Sequence, residues 1–211
     1  MTHGARQYTY LDELHRLHAD RREAIRKRLD EFAAVDRSEY FFELTYCLLT
    51  PQSSAIHAAR AVEILRTAPM NVEDVAAILR DRGSYIRFHN TKARYVLRAR
   101  ELFPEIAERL QYGMTSPELR DWLVRNVKGL GWKEASHFLR NIGHRNLAIL
   151  DRHILKNLRF HNVIRLIPVA LTPVQYRAIE QRFLAFADQV GIPMDELDLA
   201  FWSRETGEIL K

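Results

Sequence analysis

The sequence predicts an all-α protein. Apolar residues recur at helical spacing along most of the chain, and no convincing run alternates with period two. Helix-start and helix-stop residues also punctuate it at sensible intervals. From Leu11 to Val35, Leu14, Leu17, Ile25, Leu29 and Phe32 lie on one helical face among many charges. The run from Ser38 to Leu49 is far more apolar and reads as a central buried helix. Pro51 ends it, because proline restricts its predecessor and cannot continue the hydrogen-bond ladder. Ser53 or Ser54 caps a helix reaching to near Arg66, and Asn71 caps a short one ending near Arg80. Asn90 starts another, running to near Phe103, with a break or new start at Pro104. Ser116-Pro117 places serine at N-cap and proline at N1, and that helix runs into a glycine turn at Gly129 and Gly131. Asp151 stands at the head of the next. Thr172-Pro173 repeats the start signal for a long helix to near Val190, stopped by Gly191 and Pro193, and a last helix reaches Trp202. This makes about nine to eleven helices, without repeats or long linkers.

The 211 residues suffice for one ordinary domain or two small lobes, and 47% hydrophobic with 28% charged residues fits a soluble globular chain. A net charge of +5 and a pI of about 9.5 favour a polyanionic partner, most often nucleic acid. The single cysteine, Cys47, lies in an apolar run and reads as a buried hydrophobe. One cysteine excludes an internal disulfide and any four-cysteine zinc or iron–sulfur site. The N-terminus has no secretion-signal pattern, and no stretch approaches the roughly 18 apolar residues of a membrane span, so a reducing cytoplasm is expected. The nine histidines, His15 and His18 among them, have no acidic or cysteine partner at metal-ligand spacing, so no metal site is expected.

The chemistry concentrates in VKGLGWKEASHFLRNIGHRNLAILD, residues 127–151. Helix, glycine turn, helix is a helix–hairpin–helix pattern. Its turn amides and the positive end of the second helix suit a phosphate, although an ordinary αα-hairpin has the same outline. Lys133 falls in the first turn of that second helix, where the dipole disfavours a cation. A lysine that sheds its proton is a nucleophile toward a sugar aldehyde carbon; the plain alternative is a solvated charge. Asp151 follows a four-residue apolar stretch. It reads as a helix N-cap, and also as a carboxylate able to stabilise an oxocarbenium-like sugar and move protons.

KGLGWKEASHFLRNIG followed by ILDRHI resembles the signature of the helix–hairpin–helix DNA glycosylase superfamily, L-x-G-x-G-x-K with a downstream aspartate. Within it, the chain is most similar to the type 2 8-oxoguanine DNA glycosylase/lyases. LLTPQSSA, IRFHNTKARYV and the C-terminal LDLAFWSRETGEILK carry the likeness over nearly all of the chain. The resemblance implies a two-lobed helix–hairpin–helix glycosylase fold spanning 1–211 as one unit. One lobe covers about 50–150 and ends in the hairpin at about 116–142; residues 1–49 pack with 151–211 as the other.

The resemblance further implies excision of 8-oxoguanine from double-stranded DNA through a lysine Schiff base, with strand cleavage by β-elimination. The enzyme would act as a monomer at the nucleoid. Lys133 matches the family's nucleophile and Asp151 its catalytic aspartate. Trp202 is either a stacking platform for the flipped base or a core tryptophan; Lys211 is either a pocket residue or a frayed terminus. Phe88, with His89 and Asn90, lines the base pocket or belongs to core and cap. Gln52 is either a wedge filling the gap left by the base or a loop residue. Lys128, Gly129, Gly131, Lys92 and Arg94 are candidates for DNA phosphates. No redox cofactor or catalytic metal is needed; a monovalent cation on the hairpin carbonyls is the one ion the resemblance suggests.

Three rival readings stay open. The same fold could act on oxidised pyrimidines. A non-catalytic hairpin module would bind DNA without nicking it. An all-α scaffold would leave the basic charge and the glycine hairpin unexplained.

Overall fold

The computed structural model describes residues 7–209, among which there are ten α-helices, two short 3-10 turns and no strand. The helices are α1 (Leu11–Ala33), α2 (Tyr40–Leu49), α3 (Ala55–Leu65), α4 (Val72–Arg80), α5 (His89–Gln111), α6 (Ser116–Asn126), α7 (Trp132–Asn141), α8 (Arg152–Phe160), α9 (Pro173–Val190) and α10 (Met194–Thr206). They form two compact units, Val35–Ile142 and Met1–Ala34 with Gly143–Lys211.

In the unit Val35–Ile142, α2 is the centre. Its last seven residues, Glu43 to Leu49, are all buried, as an all-round apolar sequence requires. It packs against α3, α5 and α7, and burial of each large side chain contributes about 1.5–3 kcal/mol. The one acid among those seven residues, Glu43, accepts a hydrogen bond from Asn141 Nδ2 at 3.0 Å, tying α2 to the end of α7. This packing moves the expected division. A boundary at 49/50 follows the proline turn, yet α2 buries itself against helices on the far side of that turn. The other boundary falls at 142/143 rather than near 150. There Gly143 takes φ +92°, and a Cβ on it would come within 3.0 Å of Ala33 Cα.

In the other unit, α10 is central and packs on α1, α8 and α9. Leu199 and Ala200 join Ile25, Leu29 and Phe32 of α1 in one apolar cluster. Glu196 of α10 accepts from His18 and, at 3.1 Å, from Arg26 Nε, both on α1.

The start signals hold with small shifts. Thr172 caps α9 in a full capping box with Gln175, with Pro173 opening the helix. Asn71 and Ser54 cap α4 and α3. For α6 the cap is Thr115, not Ser116, because Glu118 completes a capping box with the threonine. Asn90 does not start its helix: α5 begins one residue earlier, after Phe88 in a left-handed conformation. Pro104 neither breaks nor restarts α5; contacts made by Val96 and Ala99 before it and Ile106 after it hold the helix continuous. The last helix extends past Trp202 to Thr206.

Candidate active site

The hairpin joins α6 to α7 through Val127–Gly131. Leu130 N donates to Val127 O at 3.2 Å, closing a β-turn with Gly129 third at φ +91°, where an L side chain is strained. Gly129 is also forced by contact: a Cβ there would lie 2.3 Å from Tyr95 Cδ2 of α5. Gly131 is extended, so its lack of a side chain matters differently. As the N-cap of α7 it leaves the first-turn amides with no side-chain acceptor, the arrangement that suits an anion. Leu130 between the glycines is buried and anchors the turn. Arg120 of α6, fully buried, donates to Ser136 Oγ at 3.2 Å and lies over the Trp132 ring at 4.7 Å, clamping the two hairpin helices together.

Lys133 follows in the first turn of α7, its side chain 31% exposed and Nζ 3.4 Å from Glu134 Oε1. It is reachable from solvent and has a carboxylate beside it. Spacing along the chain does not single out Glu134, because neighbours in a helix do not face one another; its one signal is an acid in a first turn, where acids are favoured.

Asp151 belongs to the other unit. Oδ1 accepts from His153 N and Ile154 N, both at 2.8 Å, capping α8. Oδ2 accepts from Trp202 Nε1 at 3.0 Å. With two lone pairs on each oxygen, Oδ1 is filled and Oδ2 has one acceptor position left. The segment leading to Asp151 is buried and held by α9: Glu180 accepts from Ala148 N at 2.8 Å, and Tyr176 Oη donates to Ala148 O at 2.6 Å and accepts from Leu150 N at 3.2 Å. Trp202 is half-buried, with His153 packed against its ring at 6.0 Å. Its indole N–H therefore orients Asp151, a role not anticipated beside base stacking. The missed supports are Tyr176 and Glu180, neither of which carries a local signal.

The remaining candidates separate. Gln52 and Phe88 are exposed and both take left-handed backbone conformations, φ 55° and 60°. Phe88 lies under the Arg87 guanidinium at 4.8 Å. Arg94 and Lys128 are exposed, as a phosphate contact requires. Lys92 is not such a contact. It is 6% exposed, and its Nζ donates to Leu49 O at 2.7 Å, Pro51 O at 2.6 Å and Ser53 Oγ at 3.3 Å. Burial pulls its pKa down to about 8, Glu134 acting against this and Lys133 adding to it. Its place one turn into α5, facing the end of α2, turns it inward. Lys211 lies outside the described residues. Cys47 is buried and free, its thiol pushed up by burial. No helix among the described residues is long and apolar enough to cross a membrane.

Known proteins resemble this chain. The family model for 8-oxoguanine DNA glycosylase matches residues 25–192. The 8-oxoguanine DNA glycosylase/AP lyase of Fusobacterium nucleatum is 37% identical, over 96% of this chain and 98% of that one. Its counterpart in Korarchaeum cryptofilum is 39% identical, over 90% and 91%. The crystal structure of Methanocaldococcus jannaschii 8-oxoguanine glycosylase/lyase in complex with 15mer DNA containing 8-oxoguanine aligns with a TM-score of 0.86 at 33% identity, covering 95% of this chain and 99% of that one. Matched by the model over most of its length, and by relatives of this similarity nearly end to end, the chain belongs to the 8-oxoguanine DNA glycosylase family.

Proposed function

We propose that the protein excises 8-oxoguanine from duplex DNA and cleaves the strand at the abasic site, with Lys133 as nucleophile and Asp151 as the carboxylate partner. The observation that carries this reading is a solvent-reachable lysine in the uncapped first turn of the second hairpin helix, in a chain whose relatives are named for both activities. The hairpin amides take a DNA phosphate, which positions the strand without reading bases. Exposed Arg94 and Lys128 add phosphate contacts, and Gln52, Phe88 and Trp202 serve the extruded nucleotide. A monovalent cation held by backbone carbonyls of the 127–131 turn is part of the same reading; the concavity of about 440 Å³ beside that turn is also lined by Tyr95, Arg125 and Lys128.

The neutral Lys133 amine attacks C1′. The bond to the base breaks, and the base leaves with its electron pair and takes the proton shed by the amine. The Asp151 carboxylate stabilises positive charge on the sugar through the free acceptor position of Oδ2. A proton delivered to O4′ opens the ring and gives the protonated Schiff base. Loss of a C2′ proton then breaks the C3′–O3′ bond, and water returns lysine as the amine. Glu134, 3.4 Å from Nζ, is placed to take a proton from the lysine before attack.

The test is borohydride reduction with an 8-oxoguanine·cytosine duplex, beside Lys133→Gln. A covalent protein–DNA adduct that the variant lacks is expected. No adduct from the wild-type protein, with salt-sensitive DNA binding retained, would mean a binding module instead; excision of thymine glycol in preference to 8-oxoguanine would reassign the lesion.

A further inference from the structure

Lys92 is the only buried lysine among the described residues, and its position is unusual in what it joins. All three ammonium protons have an acceptor: the last carbonyl of α2, the Pro51 carbonyl and the Ser53 hydroxyl. Ser53 Oγ in turn accepts from Arg87 N at 3.0 Å. The amine thus ties the turn after α2 to the segment that opens α5. Those two segments carry Gln52 and Phe88, both non-glycine residues at positive φ and both exposed. Such conformations persist only where the surroundings over-determine them, and they cluster where a side chain must be presented in one way. Here the Lys92 amine bonds the residues on both sides of Gln52 and, through Ser53 Oγ, is linked to Arg87, the neighbour of Phe88.

We propose that Lys92 is a positioning residue for base recognition: its buried amine locks the Pro51 turn to the start of α5 and so sets Gln52 and Phe88 for the extruded nucleotide. This rests on the excision reading above. Lys92 touches neither DNA nor the reacting atoms; it acts through the two loops. Its removal should therefore be felt in extruding and holding an intact 8-oxoguanine. It should be felt little at an abasic site, where no base needs to be held.

The experiment is Lys92→Met, which keeps the side-chain stem and removes every donor, alongside Ser53→Ala as a milder variant. Single-turnover release of 8-oxoguanine from a duplex should fall about 10- to 100-fold in Lys92→Met, the range expected from a small misplacement of site groups. Strand cleavage at a preformed abasic site should change less than about threefold by the same reasoning. The fluorescence rise of a 2-aminopurine placed beside the lesion, which reports extrusion on binding, should shrink in step with excision. Ser53→Ala should show a smaller loss with the same preference for excision, and it carries the test if Lys92→Met does not fold. Equal loss of both activities would overturn the inference and make Lys92 a general support of the unit. Unchanged excision in a folded variant would overturn it outright. A wild-type protein that releases no 8-oxoguanine would fell the excision reading and this inference with it.

Discussion

The two hairpin glycines look alike in the sequence, but the structure makes them unequal. In Gly129→Ala the new residue must hold φ +91°, a left-handed conformation that costs an L side chain about 1–2 kcal/mol. The Cβ would also sit 2.3 Å from Tyr95 Cδ2 and 2.8 Å from Cε2, so the ring must move. Overpacking of this kind costs about 1–3 kcal/mol. A loss of about 2–5 kcal/mol corresponds to about 5–15 °C in Tm for a protein of this size. In Gly131→Ala the backbone is extended and acceptable to any residue. The close atom is Glu134 Oε2 at 2.8 Å, the free end of a side chain that can swing away, so the cost should stay below about 1 kcal/mol. Tyr95→Ala separates the two parts of the Gly129 effect, removing the clash but not the φ strain. Urea unfolding of the four proteins in a Gly129→Ala/Tyr95→Ala cycle should give a rescuing coupling of about 1–3 kcal/mol. The distorted turn should also lose about one phosphate contact, lowering the slope of log K against log salt by about one. Equal costs at the two glycines, or a cycle with no coupling, would refute this account of the turn.

Three further outcomes follow from the other unit. Trp202→Phe keeps an aromatic face and removes the donor to Asp151 Oδ2; a hydrogen bond to a charged group is worth about 1.5–3 kcal/mol, so single-turnover excision should fall about 10- to 100-fold, whereas stacking alone would leave it nearly unchanged. Tyr176→Phe strands Ala148 O and Leu150 N in a buried segment and should cost about 1–3 kcal/mol in urea unfolding. At Glu196, burial works to raise the carboxyl, but hydrogen bonds from His18 and Arg26 outweigh it and hold the group below its ordinary value of 4.5. Its stabilisation is complete above that value and drains away as pH falls toward the lowered one, so Tm measured from pH 7 down to 3 should bend below about 4.5, and Glu196→Gln should flatten that bend.

Much of the fold was legible because helix boundaries are local. Thr172-Pro173, Asn71 and Gly191 each act through residues within a turn or so, and each ends or begins a helix as read. The misreadings share one cause, the tertiary override of a local signal. Pro104 is a helix breaker in isolation, but α5 is held by packing on both sides of it. The proline turn after α2 suggested a lobe boundary, yet the buried faces of α2 belong with the helices that follow. Lys92 read as a surface cation by residue type, and its amine instead finds three acceptors in and just after α2. The partners that aim the chemistry are distant in the chain: Trp202 lies 51 residues from Asp151, Lys92 lies 43 from Leu49, and Asn141 lies 98 from Glu43. No periodicity encodes such pairs.

Asp151 shows how the plain and the chemical readings of one residue can both hold. The helix cap uses Oδ1 alone, with two backbone amides, and this fixes the rotation of the carboxylate so that Oδ2 faces Trp202. Capping is thus what aims the oxygen proposed for catalysis. Asp151→Asn tests this division. Its carbonyl oxygen can replace Oδ1 and keep the cap, which forces the amide nitrogen toward the indole N–H, donor against donor. The fold should therefore survive with a loss below about 1 kcal/mol, while the Trp202 contact breaks and excision falls by more than in Trp202→Phe. Asp151→Ala should forfeit the cap as well, costing about 0.5–2 kcal/mol in unfolding. If Asp151→Asn were as unstable as Asp151→Ala, the two oxygens would not be divided between cap and chemistry. If Asp151→Asn kept full excision, the carboxylate would be only a cap, and the charge that stabilises the sugar would have to come from another group.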